Sequence, residues 1–104
     1  MQITYETAKE LFESARDKST GKPIANNTRI VQLNEETYGI KLHDTVVVTL
    51  YSYGALILNS GGWRTRTTKD RINLALHPIN LSITQTKGQW YIGKTLFFDG
   101  IEIS

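Results

Sequence analysis

The chain contains no cysteine. That absence excludes a disulfide framework and a thiolate metal site, and it fits an intracellular, reducing compartment. Histidine is nearly as scarce, with only His43 and His77, so a transition-metal site lacks nitrogen ligands. Asp44, Asp70 and Asp99 form no recognisable magnesium cluster, and neither metal nor cofactor is expected. No apolar stretch approaches the ~20 residues of a transmembrane helix. The N-terminus, Met1 to Glu6, lacks the charged start and apolar run of a signal peptide. The expectation is a soluble, cytoplasmic protein without a membrane partner.

The 104 residues fit one domain, spanning 1–104. Hydrophobic residues make up 39%, which implies a modest core and a large wet surface. Association with further copies is one way to bury more of that surface. The net charge of +2, from 12 basic and 10 acidic residues, is too small for a protein that coats DNA. Its distribution is uneven. Arg64, Arg66, Lys69 and Arg71 crowd one segment, offset there only by Asp70, while Glu6, Glu10, Glu13 and Asp17 gather near the N-terminus.

Hydrophobic spacing predicts a helix over 4–17, with Thr4 as N-cap and Ala8, Leu11, Phe12 and Ala15 on one face. Residues 18–27 carry loop chemistry, broken by Gly21 and Pro23 and ending in the turn-forming Asn26-Asn27. The period then alternates. Strands are predicted at 28–33, 37–42, 45–51 and 55–58, with a tight hairpin at Ser52-Tyr53-Gly54. A short helix is predicted at 68–76, capped by Thr67 or Thr68 and stopped by Pro78. Strands resume at 81–86, 89–92, 95–98 and 101–103, with Lys87-Gly88 and Asp99-Gly100 as hairpin turns. The fold class is α+β: one antiparallel β-sheet, an N-terminal helix, and a short helix inserted after the Gly-Gly-Trp-Arg-Thr-Arg-Thr-Thr segment.

The segment from Gly61 to Asn73 carries the most chemistry. Two adjacent glycines let backbone amides come close to an anion. Thr65, Thr67 and Thr68 add hydroxyl donors, and the following helix start adds unpaired N–H groups and a positive dipole end. Arg64, Arg66 and Arg71 carry forked guanidinium groups that match phosphate bidentately. Trp63 offers a flat surface for a base, and such stacking contributes roughly 1–3 kcal/mol. Asn73 holds the donor and acceptor that read a purine edge. Together these suit a nucleotide better than bare phosphate, although neither a P-loop nor a Rossmann fingerprint is present. A plainer reading stands beside this one. Trp63 can cap the sheet, Arg64 and Arg66 can alternate into solvent, Arg71 can pair with Asp70, and Asn73 can cap the helix. Chemistry alone leaves both open.

Leu42-His43-Asp44-Thr45, followed by the run from Leu58 to Asn73, resembles a small family of phage proteins, the Thoeris anti-defence sponges of the first described type. Ala25 to Thr28 and Lys87 to Tyr91 fit the same pattern, so the likeness covers about Asn26 to Tyr91. The resemblance implies a protein of the host cytoplasm that binds a bacterial defence signal, a cyclic ADP-ribose isomer or a cyclic oligonucleotide, and sequesters it without cleavage. It implies a homo-oligomer built from dimers, with the ligand near a protomer interface. Trp63 and Asn73 would be the base-recognising pair, and Arg29, Arg64 and Arg71 would meet the pyrophosphate.

His43-Asp44 looks like half a catalytic dyad, but adjacent strand residues point to opposite faces and no nucleophile is marked. His43 is expected to bond within the fold or to line the ligand pocket. Trp90-Tyr91 and Phe97-Phe98 should each place one ring in the core. Three functions compete. A nucleotide sponge binds a small ligand and returns it intact, and is not an enzyme. A nucleic-acid accessory protein of phage DNA metabolism binds strands with steep salt dependence, against which the small net charge weighs. A hydrolase lacks a credible metal site or base pair.

Overall fold

The computed structural model describes residues 1–104. In chain order the elements are α1 (Tyr5–Glu13), β1 (Lys22–Ala25), β2 (Thr28–Asn34), β3 (Thr37–Leu42), β4 (Thr45–Tyr51), β5 (Leu56–Leu58), α2 (Arg66–Leu76), a 3-10 turn (His77–Ile79), β6 (Ile83–Thr86), β7 (Gln89–Ile92), β8 (Thr95–Leu96) and β9 (Ile101–Ile103). The α+β class read from the sequence is the class of the structure. No helix is long and apolar enough to cross a membrane.

Thr4 caps α1 by accepting the Thr7 N–H at 3.1 Å. The helix is shorter than its apolar spacing suggests, because its end is closed from outside. Lys18 Nζ donates to the carbonyls of Glu13 (2.7 Å) and Ala15 (2.8 Å), which satisfies acceptors the helix cannot. Ala8 and Phe12 face inward, and Phe12 and Tyr5 pack against Tyr38 on β3.

One sheet becomes two. Six antiparallel strands run in the order β1-β2-β3-β4-β5-β9, and β6-β7-β8 form a separate three-stranded sheet. The expected single sheet is therefore corrected. α2 and the 3-10 turn carry the chain away from β5, and the next strands pair only with one another. Asp99-Gly100 is accordingly not a hairpin turn. It carries the chain from β8 in the small sheet to β9, which pairs with β5 in the large one. A second correction falls at 22–25, read as loop but folded as β1. Proline cannot donate to a ladder, and Pro23 sits where this does least harm, on an edge strand beside a break in register.

β3 is buried on both faces: Thr37, Tyr38, Gly39, Ile40 and Leu42 are all inside. Strict alternation fails there because Val31, Leu33 and Val46 of the flanking strands close over Gly39 on the second face. At Gly39 a Cβ would come within 2.9 Å of Val46 Cγ1, so these side chains lie over the strand in space that a side chain would otherwise take. The core is one cluster of 20 buried residues that joins α1, α2 and both sheets. Trp90 (0% exposed) and Phe97 bring the small sheet into it, their ring centroids 5.4 Å apart. Tyr91 is half-buried and Phe98 exposed, so each aromatic pair contributes one ring to the core.

Candidate functional site

An open groove of about 720 Å³ lies where two hairpin turns meet the loop before α2. One turn is Asn26-Asn27, between β1 and β2. The other is His43-Asp44, between β3 and β4. The His43 N–H donates to the Asn27 carbonyl at 2.8 Å, which locks the two turns together. Both residues are left-handed, with φ of 54° at Asn27 and 53° at His43. Asparagine tolerates this region; histidine does so at a cost of roughly 1–2 kcal/mol. The expectation that His43 and Asp44 lie in a strand and point apart is corrected. They form a turn, and both line the groove.

The opposite wall is the run from Ser60 to Thr67. Gly61 has φ +63°, and a Cβ there would meet Thr45 Oγ1 at 2.6 Å, so the loop presses on the start of β4 because no side chain intervenes. The amides of the two glycines are not free for an anion. Gly61 N–H donates to Asn59 Oδ1 (2.7 Å) and Gly62 N–H to Ser60 Oγ (3.2 Å). The loop thereby holds Trp63 out, 69% exposed, on the groove wall. Of the two readings of this tryptophan, the sheet cap is ruled out.

α2 begins two residues earlier than expected. Its cap is Thr65, whose Oγ1 accepts the Thr68 N–H at 3.2 Å, rather than Thr67 or Thr68. Thr68 is buried instead. Thr65 and Thr67 both line the groove, beside first-turn N–H groups that have no partner inside a helix. One turn further along, Arg71 reaches the groove from below. Its Nε donates to Thr28 Oγ1 at 2.7 Å and its Nη2 lies 3.5 Å from the Asn26 carbonyl, so it pairs with β2 and not with Asp70.

The other arginines are placed elsewhere. Arg64 folds back on the small sheet: its guanidinium carbon lies 5.1 Å from the Trp90 ring centroid and 4.8 Å from that of Phe97. Its Nε donates to Ser60 Oγ at 3.1 Å, and Nη2 stands 4.0 Å from Asp99 Oδ1. Arg66 is exposed at the start of α2, and Arg29 is exposed on β2, with Nη1 3.4 Å from the Gly21 carbonyl. None of the three lines the groove. Asn73 is also apart from it. Its Oδ1 accepts the Ile83 N–H at 2.8 Å and fastens α2 to β6.

Asp99 anchors the wall from behind. Its Oδ1 accepts from both Ser60 N–H (2.8 Å) and Ser60 Oγ (2.7 Å). Burial pushes this carboxyl up, but the Ser60 bonds and the Arg64 charge outweigh it and hold the group below its ordinary 3.8. The structure thus gathers Trp63, Thr65, Thr67, Arg71 and His43 from the sequence-derived set. It adds Asn26, Asn27, Asp44, Thr45 and Ser60. Their signal in the sequence was that of turn residues, and turn chemistry does not say which turns will be neighbours. No group of histidines and carboxylates is close enough together to hold a metal ion.

A protein-family model described as Kyanoviridae Gp96 protein, a phage protein family, matches residues 5–103. No curated protein and no solved structure matches the chain significantly.

Proposed function

The chain belongs to the Kyanoviridae Gp96 protein family, and from that premise we propose that it is a phage immune-evasion protein that binds and sequesters a bacterial defence nucleotide. The ligand class is a cyclic ADP-ribose isomer or a cyclic oligonucleotide, held in the groove of this phage protein in the host cytoplasm and not cleaved. The observation that carries the reading is the pairing of an exposed indole with a guanidinium in one groove, Trp63 with Arg71. An aromatic left in water at the rim of a polar groove gains most from a stacking partner, and a base on Trp63 would contribute roughly 1–3 kcal/mol. Arg71 and the α2 start are the anion end. Arg64, Asp99 and Asn73 hold the walls in place. The alternative, a nucleic-acid accessory protein, would be served by a continuous basic track. Arg29, Arg64 and Arg66 make no such track with Arg71 along the groove.

The test incubates the protein with a panel of cyclic nucleotides, removes free ligand, and identifies by mass spectrometry what heating releases. The expected result is one nucleotide, intact, bound by the parent and lost by Trp63→Ala and Arg71→Ala while circular dichroism shows both variants folded. A cleaved product would instead indicate an enzyme. Salt-sensitive binding to DNA or RNA with no small-nucleotide binding would favour the accessory protein.

A further inference from the structure

The groove contains one carboxylate, Asp44, on its lining. A site that recognised only phosphate would gain nothing from it, since a negative charge repels the ligand. Asp44 nevertheless stands there without a hydrogen bond or an ion pair from its side chain; the single ion pair of the chain joins Arg64 and Asp99. Asp44 is exposed and needs no partner for folding. Its place in the groove is determined by its neighbours. Thr45 is the next residue and touches the Gly61 position, two residues before Trp63. Arg71, in contrast, is tied to Thr28 and Asn26 beside the other turn. Asp44 is thus seated against the wall that carries Trp63, and the His43–Asn27 bond sets its turn beside the one to which Arg71 is tied.

From this carboxylate, unpaired on the groove lining, we propose that Asp44 is a specificity-determining residue, accepting hydrogen bonds from a pair of adjacent donors on the ligand's nucleoside part. This rests on the nucleotide-binding reading above and names what that site selects. An ionised carboxylate is acceptor-only, with two oxygens that take two parallel donors. Two nucleotide groups present such a pair, the ring N–H and amino group on the Watson–Crick edge of guanine, and the cis-diol of ribose. The charge of Asp44 disfavours phosphate, which leaves Arg71 as the cation of the lining that can take it.

The experiment is calorimetric titration of the parent, Asp44→Asn and Asp44→Ala with the nucleotide recovered in the release assay, and with guanosine, deoxyguanosine and adenosine monophosphates. The residue is exposed and unbonded, so both variants should melt like the parent. The expected result is a loss of roughly tenfold or more in affinity in both variants, confined to ligands that carry the donor pair. Sensitivity that follows guanine against adenine identifies the base edge as the source. Sensitivity that follows ribose against deoxyribose identifies the diol. If the parent binds a nucleotide and both variants bind every ligand with parental affinity, the Asp44 assignment is overturned and the binding reading stands. Should the parent bind no nucleotide at all, both are overturned.

Discussion

His43 occupies the first position of a two-residue turn with φ 53°, where hairpins of this length favour glycine. Replacing it with glycine removes a strain of about 1–2 kcal/mol and adds roughly 0.5–1 kcal/mol of backbone entropy cost. His43→Gly should therefore unfold no more easily than the parent, and up to about 1.5 kcal/mol less easily, in a urea titration. If the imidazole contacts the ligand, the same variant binds more weakly. A loss of both stability and binding would show that His43 serves the fold instead. Asp99 makes a prediction in pH. Its folded carboxyl sits below 3.8, so its stabilising contribution is complete above that value and is lost as pH falls through the lowered folded one. Thermal melts from neutral to strongly acidic pH should fall more steeply for the parent than for Asp99→Asn. Parallel curves would remove the Ser60 anchor from the account.

Asn73 shows how an element can carry a residue away from the site to which sequence assigns it. It lies in the third turn of α2, beyond Arg71, and its Oδ1 caps the Ile83 N–H at the entry to β6. Asn73→Ala leaves that buried donor unpaired and should cost about 1–3 kcal/mol in chemical denaturation. Asn73→Asp keeps the acceptor and should recover much of the loss. If Asn73→Asp retains both stability and ligand, the residue serves the fold and not the base reading that the family resemblance implies. At the start of the same helix, Thr65→Ala removes the cap and should cost about 0.5–2 kcal/mol. Because Thr65 also lines the groove, Thr65→Ser should restore stability and binding together.

Across the whole molecule, the groove is made by parts far apart in the chain: two hairpin turns of the large sheet, the loop that follows β5, and the first two turns of α2. The small sheet contributes nothing to the lining. It supplies Trp90, which with Phe97 of the connection to β9 makes the bed for Arg64, and the same connection carries Asp99, the anchor of Ser60. Its outer side leaves Leu96 (50% exposed) and Phe98 (56%) in water. The dimer-based assembly that the resemblance implies would find apolar surface there. Sedimentation equilibrium should give an even multiple of 11.8 kDa, reduced by Leu96→Glu with Phe98→Glu. A monomer mass for the parent at micromolar concentration would remove the assembly from the reading.

The sequence by itself determined what local physics controls. Apolar period located both helices and nearly every strand, and Thr4 and Gly54 marked their ends as the structure has them. It also singled out the Gly61 to Asn73 run, because two glycines, a tryptophan, threonine hydroxyls and three guanidinium groups are unusual together whatever the fold, while leaving open whether Trp63 faces water or caps the sheet. Tertiary structure decided which of those groups meet. Arg64, Arg66 and Arg71 are indistinguishable as letters. Arg64 was taken by two buried rings, Arg66 was turned outward by the helix start, and Arg71 was brought to the groove by one further helical turn. The split into two sheets and the place of Asp44 on the groove lining were equally invisible. Strand pairing and turn proximity arise from packing between residues tens of positions apart, and period and propensity report only on neighbours.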